Sequence, residues 1–200
     1  MDMSLPLKIE GITWRGPSID DVELLPELAS DLRSLLAEVN GFILHNGGLH
    51  LRGASLDPEW HSLRSAWRGP EAFHQLYEEV RLSDIPFAQD QFGDQFLMRG
   101  SEIIRLSAET GEIEKFATSL AAFLKAANQD LEGYLNVGLN HPLQPGELLF
   151  AWPPFCLKES GVTASLKPIP SSELIRFHAD IARQIKDVPD GGSIELKWER

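Results

Sequence analysis

Between Ile85 and Ala127 short apolar runs alternate with polar turns and then give way to a helical period. Phe87 marks the first run, Phe96 with Met98 the second, Ile104 with Leu106 the third, and Ile113 with Phe116 the fourth. Turn chemistry at Asp90 to Asp94, Arg99 to Ser101 and Glu109 to Gly111 separates them. A period of two predicts an antiparallel meander over 85–117. Thr118 or Ser119 can then cap a helix that carries Leu120, Phe123, Leu124 and Ala127 on one face.

The pattern upstream predicts a helix from about Ser18 to Asn40, with Leu25, Leu28, Leu32, Leu35, Leu36 and Val39 as one apolar stripe. Asp20, Asp21, Glu23 and Glu27 crowd its start, where the helix dipole favours them, and Asn40-Gly41 supplies the stop. A short strand is expected around Ile9 to Trp14. Phe42 to Arg52 reads as a hairpin about Asn46-Gly47. Trp60, Leu63, Ala66 and Trp67 predict one short helix ending at Gly69-Pro70, and Glu71 to Arg81 a second helical piece. After Asn128 the expected elements are strands at Glu147 to Trp152 and Val162 to Ile169. A last helix opens at Pro170 to Glu173, with Leu174, Ile175, His178, Ile181, Ala182 and Ile185 on one face.

Thirty acidic residues against eighteen basic ones give a net charge of -12. Such a field repels nucleic acid and anionic membrane and favours basic partners, although solubility alone also selects acidic chains. No apolar run approaches the roughly 18–20 residues of a membrane span, and the amino terminus has no leader-like pattern. A single cysteine, Cys156, excludes an internal disulfide framework and makes a reducing cytoplasm the expectation.

Leu25-Pro26 opening the first helix, Asn40-Gly41-Phe42 closing it, IPFAQDQFGDQFLM beginning the meander and TSLAAFLKAA after it resemble the SUKH superfamily. That superfamily is named partly after fungal regulators of cell-wall synthesis and is common among bacterial immunity proteins. The resemblance covers residues 12–128. It implies an α+β fold with a twisted, mainly antiparallel sheet packed by helices. Residues 129–200 have no counterpart in the family's minimal domain and, showing no core of their own, are expected as a C-terminal extension packed on the same domain. The resemblance also implies a protein-binding role without common catalytic residues, in which an immunity protein neutralises a toxin by binding it, or a related adaptor role.

The residues themselves point to no catalytic, metal or cofactor site. HExxH, paired CxxC, GxSxG and phosphate-loop patterns are absent, and His178 on an apolar helix face reads as a satisfied core histidine. Asp90 and Asp94 could serve acid–base chemistry or calcium, or simply form a solvated turn. Trp60 and Trp67, seven apart, are core residues or exposed binding anchors. The partner-binding candidates are therefore Asp90, Asp94, Glu112 and Glu114 as steering charges, with Trp60 and Trp67 as anchors. An alternative is an enzyme built from scattered His45, His50, Asp90 and Asp94, which requires those four to converge. A third is a subunit of a larger assembly that docks through its last helix.

Overall fold

A computed structural model of the chain describes residues 9–160, 164–189, 191–193 and 195–197. Its centre is a seven-stranded sheet whose order in space is the order in sequence, every neighbour antiparallel. The strands are β1 (Ile12–Arg15), β2 (Phe42–Leu44), β3 (Leu49–Leu51), β4 (Ile85–Asp90), β5 (Gln95–Arg99), β6 (Glu102–Leu106) and β7 (Ile113–Ala117). The helices are α1 (Ser30–Glu38), α2 (Leu63–Arg68), α3 (Phe73–Leu76), α4 (Leu120–Gln129), α5 (Leu131–Leu135) and α6 (Ser171–Ile185). A separate two-stranded hairpin joins β8 (Glu147–Trp152) to β9 (Ser165–Pro170). The fold is α+β, and no helix among the described residues is long and apolar enough to cross a membrane.

The meander follows its predicted period. On one face Phe42, Leu44, Leu49, Leu51, Phe87, Phe96 and Met98 meet α1, α4 and α5 in a continuous core that runs on to Val137. Ser119 caps α4 by accepting from the Ala122 amide at 3.1 Å, and Leu120, Phe123, Leu124 and Ala127 are all buried. On the opposite face Leu97, Ile104 and Leu106 pack with Phe73, Tyr77 and Val80 and with Ala179 and Ala182 of α6. The sheet is thus clasped between helical layers. The β2–β3 turn carries positive φ at His45, Asn46 and Gly47, as an Asn-Gly turn allows.

Three helices differ from expectation. The first is α only over Ser30–Glu38, preceded by a single 3-10 turn at Leu25–Glu27. Pro26 brings no amide, and the chain runs extended at Leu28 and Ala29. The acidic residues expected at its start act elsewhere: Asp20 accepts from the Leu56 amide, and Asp21 forks onto Arg64 at 2.5 and 2.6 Å. Of the expected stripe Leu28, Leu32, Leu35 and Leu36 are buried all the same, Leu25 and Val39 are only half-buried, and Leu24 is buried in addition. The Trp60–Trp67 helix is two pieces, a 3-10 turn at Glu59–His61 and then α2, because Ser62 is extended and caps α2 through the Ser65 amide. Glu71 to Arg81 is helical only over Phe73–Leu76, since Tyr77 turns extended and sends its ring into the core.

The last helix packs against this body rather than away from it. Leu174, His178, Ala179, Ile181 and Ala182 of α6 are buried. Arg176 reaches Glu71 at 2.6 Å, and Lys186 pairs with Glu78. The apolar face that would have docked a larger assembly is therefore already covered.

Candidate functional site

Where the turns at the ends of β4–β5 and β6–β7 approach the carboxyl-terminal segment, they enclose a cleft of about 880 Å³. Asp90, Asp94, Glu109 and Glu112 contribute carboxylates, Arg105 a guanidinium, and Phe92 and Phe155 aromatic rings. The loop after α5, including His141, and Cys156 complete the wall.

Three of the four carboxylates, those of Asp90, Asp94 and Glu109, are held by local geometry. Asp90 closes its own turn, accepting from the Phe92 amide at 2.9 Å and the Asp94 amide at 3.0 Å, with Gly93 at positive φ. Asp94 accepts from the Ala108 amide at 2.8 Å. Glu109 accepts from the Phe155 and Cys156 amides at 3.1 and 2.7 Å and so ties the extension to the meander. A backbone bond from the Leu149 amide to the Gln91 carbonyl at 2.7 Å adds a second tie. Burial pushes the Asp90 carboxyl well above the usual range and raises Asp94 and Glu109 as well; the neighbouring Asp94 charge adds to the rise at Asp90 and Glu109. Arg105 is drawn toward Glu114 at 2.5 Å and lies 4.0 Å from Asp94, which leaves its Nε without an acceptor. Gln91 also lines the cleft, and its buried Nε2 has no partner.

The candidate residues separate into two groups. Asp90, Asp94 and Glu112 share the cleft, and Glu114 joins them through Arg105. Asp90 is buried and engaged by two amides, so it holds the turn and is no steering charge. Trp67 is a core residue, its indole Nε1 donating to the Leu82 carbonyl at 2.9 Å. Trp60 is half-buried among Trp14, His50 and His61, with ring centroids 5.0, 5.1 and 5.6 Å away. Neither tryptophan is at the cleft, where the aromatic contact is instead Phe92 against Phe155 at 5.1 Å.

His45 and His50 lie outside the cleft, so the four residues of the enzyme alternative do not converge. His45 sits exposed at the β2–β3 turn. His50 belongs to a second buried polar region. The Arg52 guanidinium, only 2% exposed and without a carboxylate, donates to the Pro86 carbonyl and to Gln89 and Gln95 Oε1 at 2.8, 2.6 and 2.8 Å. It also lies over the Phe73 ring. From Gln89 the chain continues through Nε2 to His50 Nδ1 at 3.4 Å, and from His50 Nε2 to His61 Nδ1 at 2.9 Å. It ends from His61 Nε2 at the Asn40 carbonyl at 3.0 Å. A carbonyl only accepts, so His61 carries its proton on Nε2 and its Nδ1 accepts from His50. Every bond then runs in one direction with both imidazoles neutral. Burial agrees, depressing His50 well below its ordinary value, His61 to about 4 and Arg52 to about 9.

No family model matches the chain, and no curated protein or solved structure matches it.

The Cys156 thiol is pushed up to about 12, chiefly by burial and then by Glu109, so it stays a thiol and no nucleophile. Among the described residues no three His, Cys, Asp or Glu side chains gather as a metal site. His178 is buried as expected but is not satisfied: its Nδ1 has no partner. With its pKa lowered to about 4 by burial, it is neutral, and its 3.7 Å approach to Glu109 is no ion pair.

The sequence reading missed Arg52, Gln91 and Phe155. Polar Gln89 and Gln95 within otherwise apolar strands were a signal that part of one sheet face is polar. Nothing local in the sequence marked Phe155, which reaches the cleft only through the fold.

Proposed function

We propose that this chain is a non-enzymatic, cytoplasmic protein-binding domain of the SUKH type. It acts as an immunity protein that neutralises a basic toxin domain by covering it, or as a related adaptor. The observation that carries this reading is the cleft: four carboxylates face a single guanidinium beside an aromatic rim, in a chain of net charge -12. The sequence resemblance over residues 12–128 supplies the class of partner.

Mechanistically, exposed Glu112 and Glu114 would speed encounter with a basic surface, whereas contacts made inside the cleft would set residence time. Phe155, 48% exposed at the rim, takes the anchoring role that the sequence had given to Trp60 and Trp67. Growth rescue tests the reading. Each secreted toxin domain encoded beside this chain's gene is expressed with and without it. Rescue together with a stoichiometric complex supports the proposal, and rescue from none of them overturns it.

A further inference from the structure

The protein answers its buried carboxylates with arginine in two places. Asp21 receives Arg64 at 2.5 Å, and Asp84 receives Arg99 at 2.6 Å. In the cleft this rule lapses. Asp90 is held by backbone amides alone and Glu109 by backbone amides and the Cys156 thiol, while the nearest guanidinium, Arg105, is paired with Glu114 and stays 4.0 Å from Asp94. Backbone amides orient a carboxylate but bring no full positive charge to it. The cleft therefore sets one guanidinium, already paired with Glu114, against four carboxylates and is short of a cation.

A second, independent observation narrows what could bring one. The Gln91 side chain, 2% exposed, lines the cleft with an Nε2 donor that has no acceptor, and Arg105 Nε is a second such donor. A buried donor without an acceptor is unfavourable, so a ligand that supplies the acceptor is favoured there. A bare metal ion supplies no acceptor, and the carboxylates do not converge on one point. What fits is a group carrying positive charge and a carbonyl a few ångströms apart. An arginine or lysine residue within a peptide has both. The paired rings of Phe92 and Phe155 offer an apolar surface for the side-chain stem or for a guanidinium plane. A volume of about 880 Å³ accommodates one long side chain with its flanking peptide groups.

We propose that the cleft receives an arginine or lysine side chain from an extended segment of a partner protein, the charge lying among Asp94, Glu109 and Glu112 and a backbone carbonyl accepting from Gln91. In naming the owner of that side chain, this inference rests on the protein-binding reading above. It replaces a diffuse electrostatic attraction with a single inserted residue.

The test needs no partner. The full chain, labelled with ¹⁵N, is titrated with N-acetyl-arginine N-methylamide and with the neutral, isosteric N-acetyl-citrulline N-methylamide. The expected result is saturable shifts of the Gln91 side-chain amide and of the Phe155 and Cys156 backbone amides, with the citrulline probe at least tenfold weaker. Gln91→Leu and, at an exposed position, Glu112→Gln should each weaken the arginine probe about fivefold while the rest of the spectrum is unchanged. Shifts elsewhere only, equal binding of the two probes, or undiminished binding by both variants overturns the inference. Growth rescue without cleft binding of arginine would leave the protein-binding reading standing and sink this one; cleft binding without rescue does the reverse.

Discussion

Two regions of buried polarity lie at the ends of the same strands, and they are built on opposite terms. Beneath β3–β5, Arg52, Gln89, Gln95, His50 and His61 form a chain in which each donor meets an acceptor and the last bond ends on a backbone carbonyl. At the cleft, carboxylates lie near one another, one guanidinium turns away, and Gln91 and Arg105 each keep a donor without a partner. Burial alone does not tell them apart, since both regions hold polar groups shielded from water. Completeness does. A closed network fixes the fold, and an open one is where a second molecule could complete the bonding.

Three measurements test that contrast. The largest effect is expected from Arg52→Leu, which strands the acceptors of Pro86 and Gln95, leaves Gln89 Oε1 with only the Gln95 amide, and removes the cation over Phe73. Destabilisation of about 4 kcal/mol should appear in the urea midpoint at neutral pH. A loss below about 1 kcal/mol would mean that the network adds little to stability.

Next comes acid. His61 titrates at about 4 in the fold against 6.5 when unfolded, so the unfolded chain binds more protons throughout that interval. Its stabilising contribution is complete above pH 6.5, falls as the pH drops and is exhausted below about 4, a loss of roughly 3 kcal/mol. The geometry gives the same sign, because a proton on His61 Nδ1 would confront the donor of His50. Arg52 and His50 are the charged and titratable groups facing it, and neither would welcome another cation. The raised carboxyls Asp90, Asp94 and Glu109 act oppositely, since the burial penalty on their charged forms is relieved as they protonate. His61→Gln should therefore flatten the decline of stability between pH 6.5 and 4. An unchanged slope would locate the acid sensitivity elsewhere.

The smallest effect is expected from Gln91→Leu. Its Nε2 has no bond to lose, and its backbone carbonyl still accepts from Leu149. The melting temperature should hold or rise, with any loss of stability no more than about 0.5 kcal/mol. A large loss would show that the amide is structural and would remove the distinction between the two regions.

Much of the fold was legible because neighbours in sequence decide it. The strands at 85–117 announce themselves by a period of two, Ser119 marks the start of α4 by its capping chemistry, and Asn46-Gly47 marks the β2–β3 turn. The misreadings have a common cause in long-range partners. Asp20 and Asp21 looked like the acidic first turn of a helix, but Leu56 and Arg64 claim them. Trp60 and Trp67 looked like one face until the break at Ser62 parted them. The cleft joins Asp90 to Cys156 across the chain, and no local pattern contains that distance. Of the residues named beforehand, Asp94, Glu112 and Glu114 lie where surface charge can act, whereas Gln91 and Phe155 could be found only in three dimensions.

The in-order arrangement of the sheet also sets a timetable. Each strand can pair with the one made just before it, the arrangement of contacts that folds fastest and suits assembly during synthesis. A nascent chain that has reached Gln129 holds all seven strands and the whole of α4. It does not yet have Leu135, His141, Phe155 or Cys156, from which the far wall of the cleft is made. The scaffold comes early and the recognition surface late, so a half-made chain on the ribosome has a sheet to protect but no finished cleft to offer a partner.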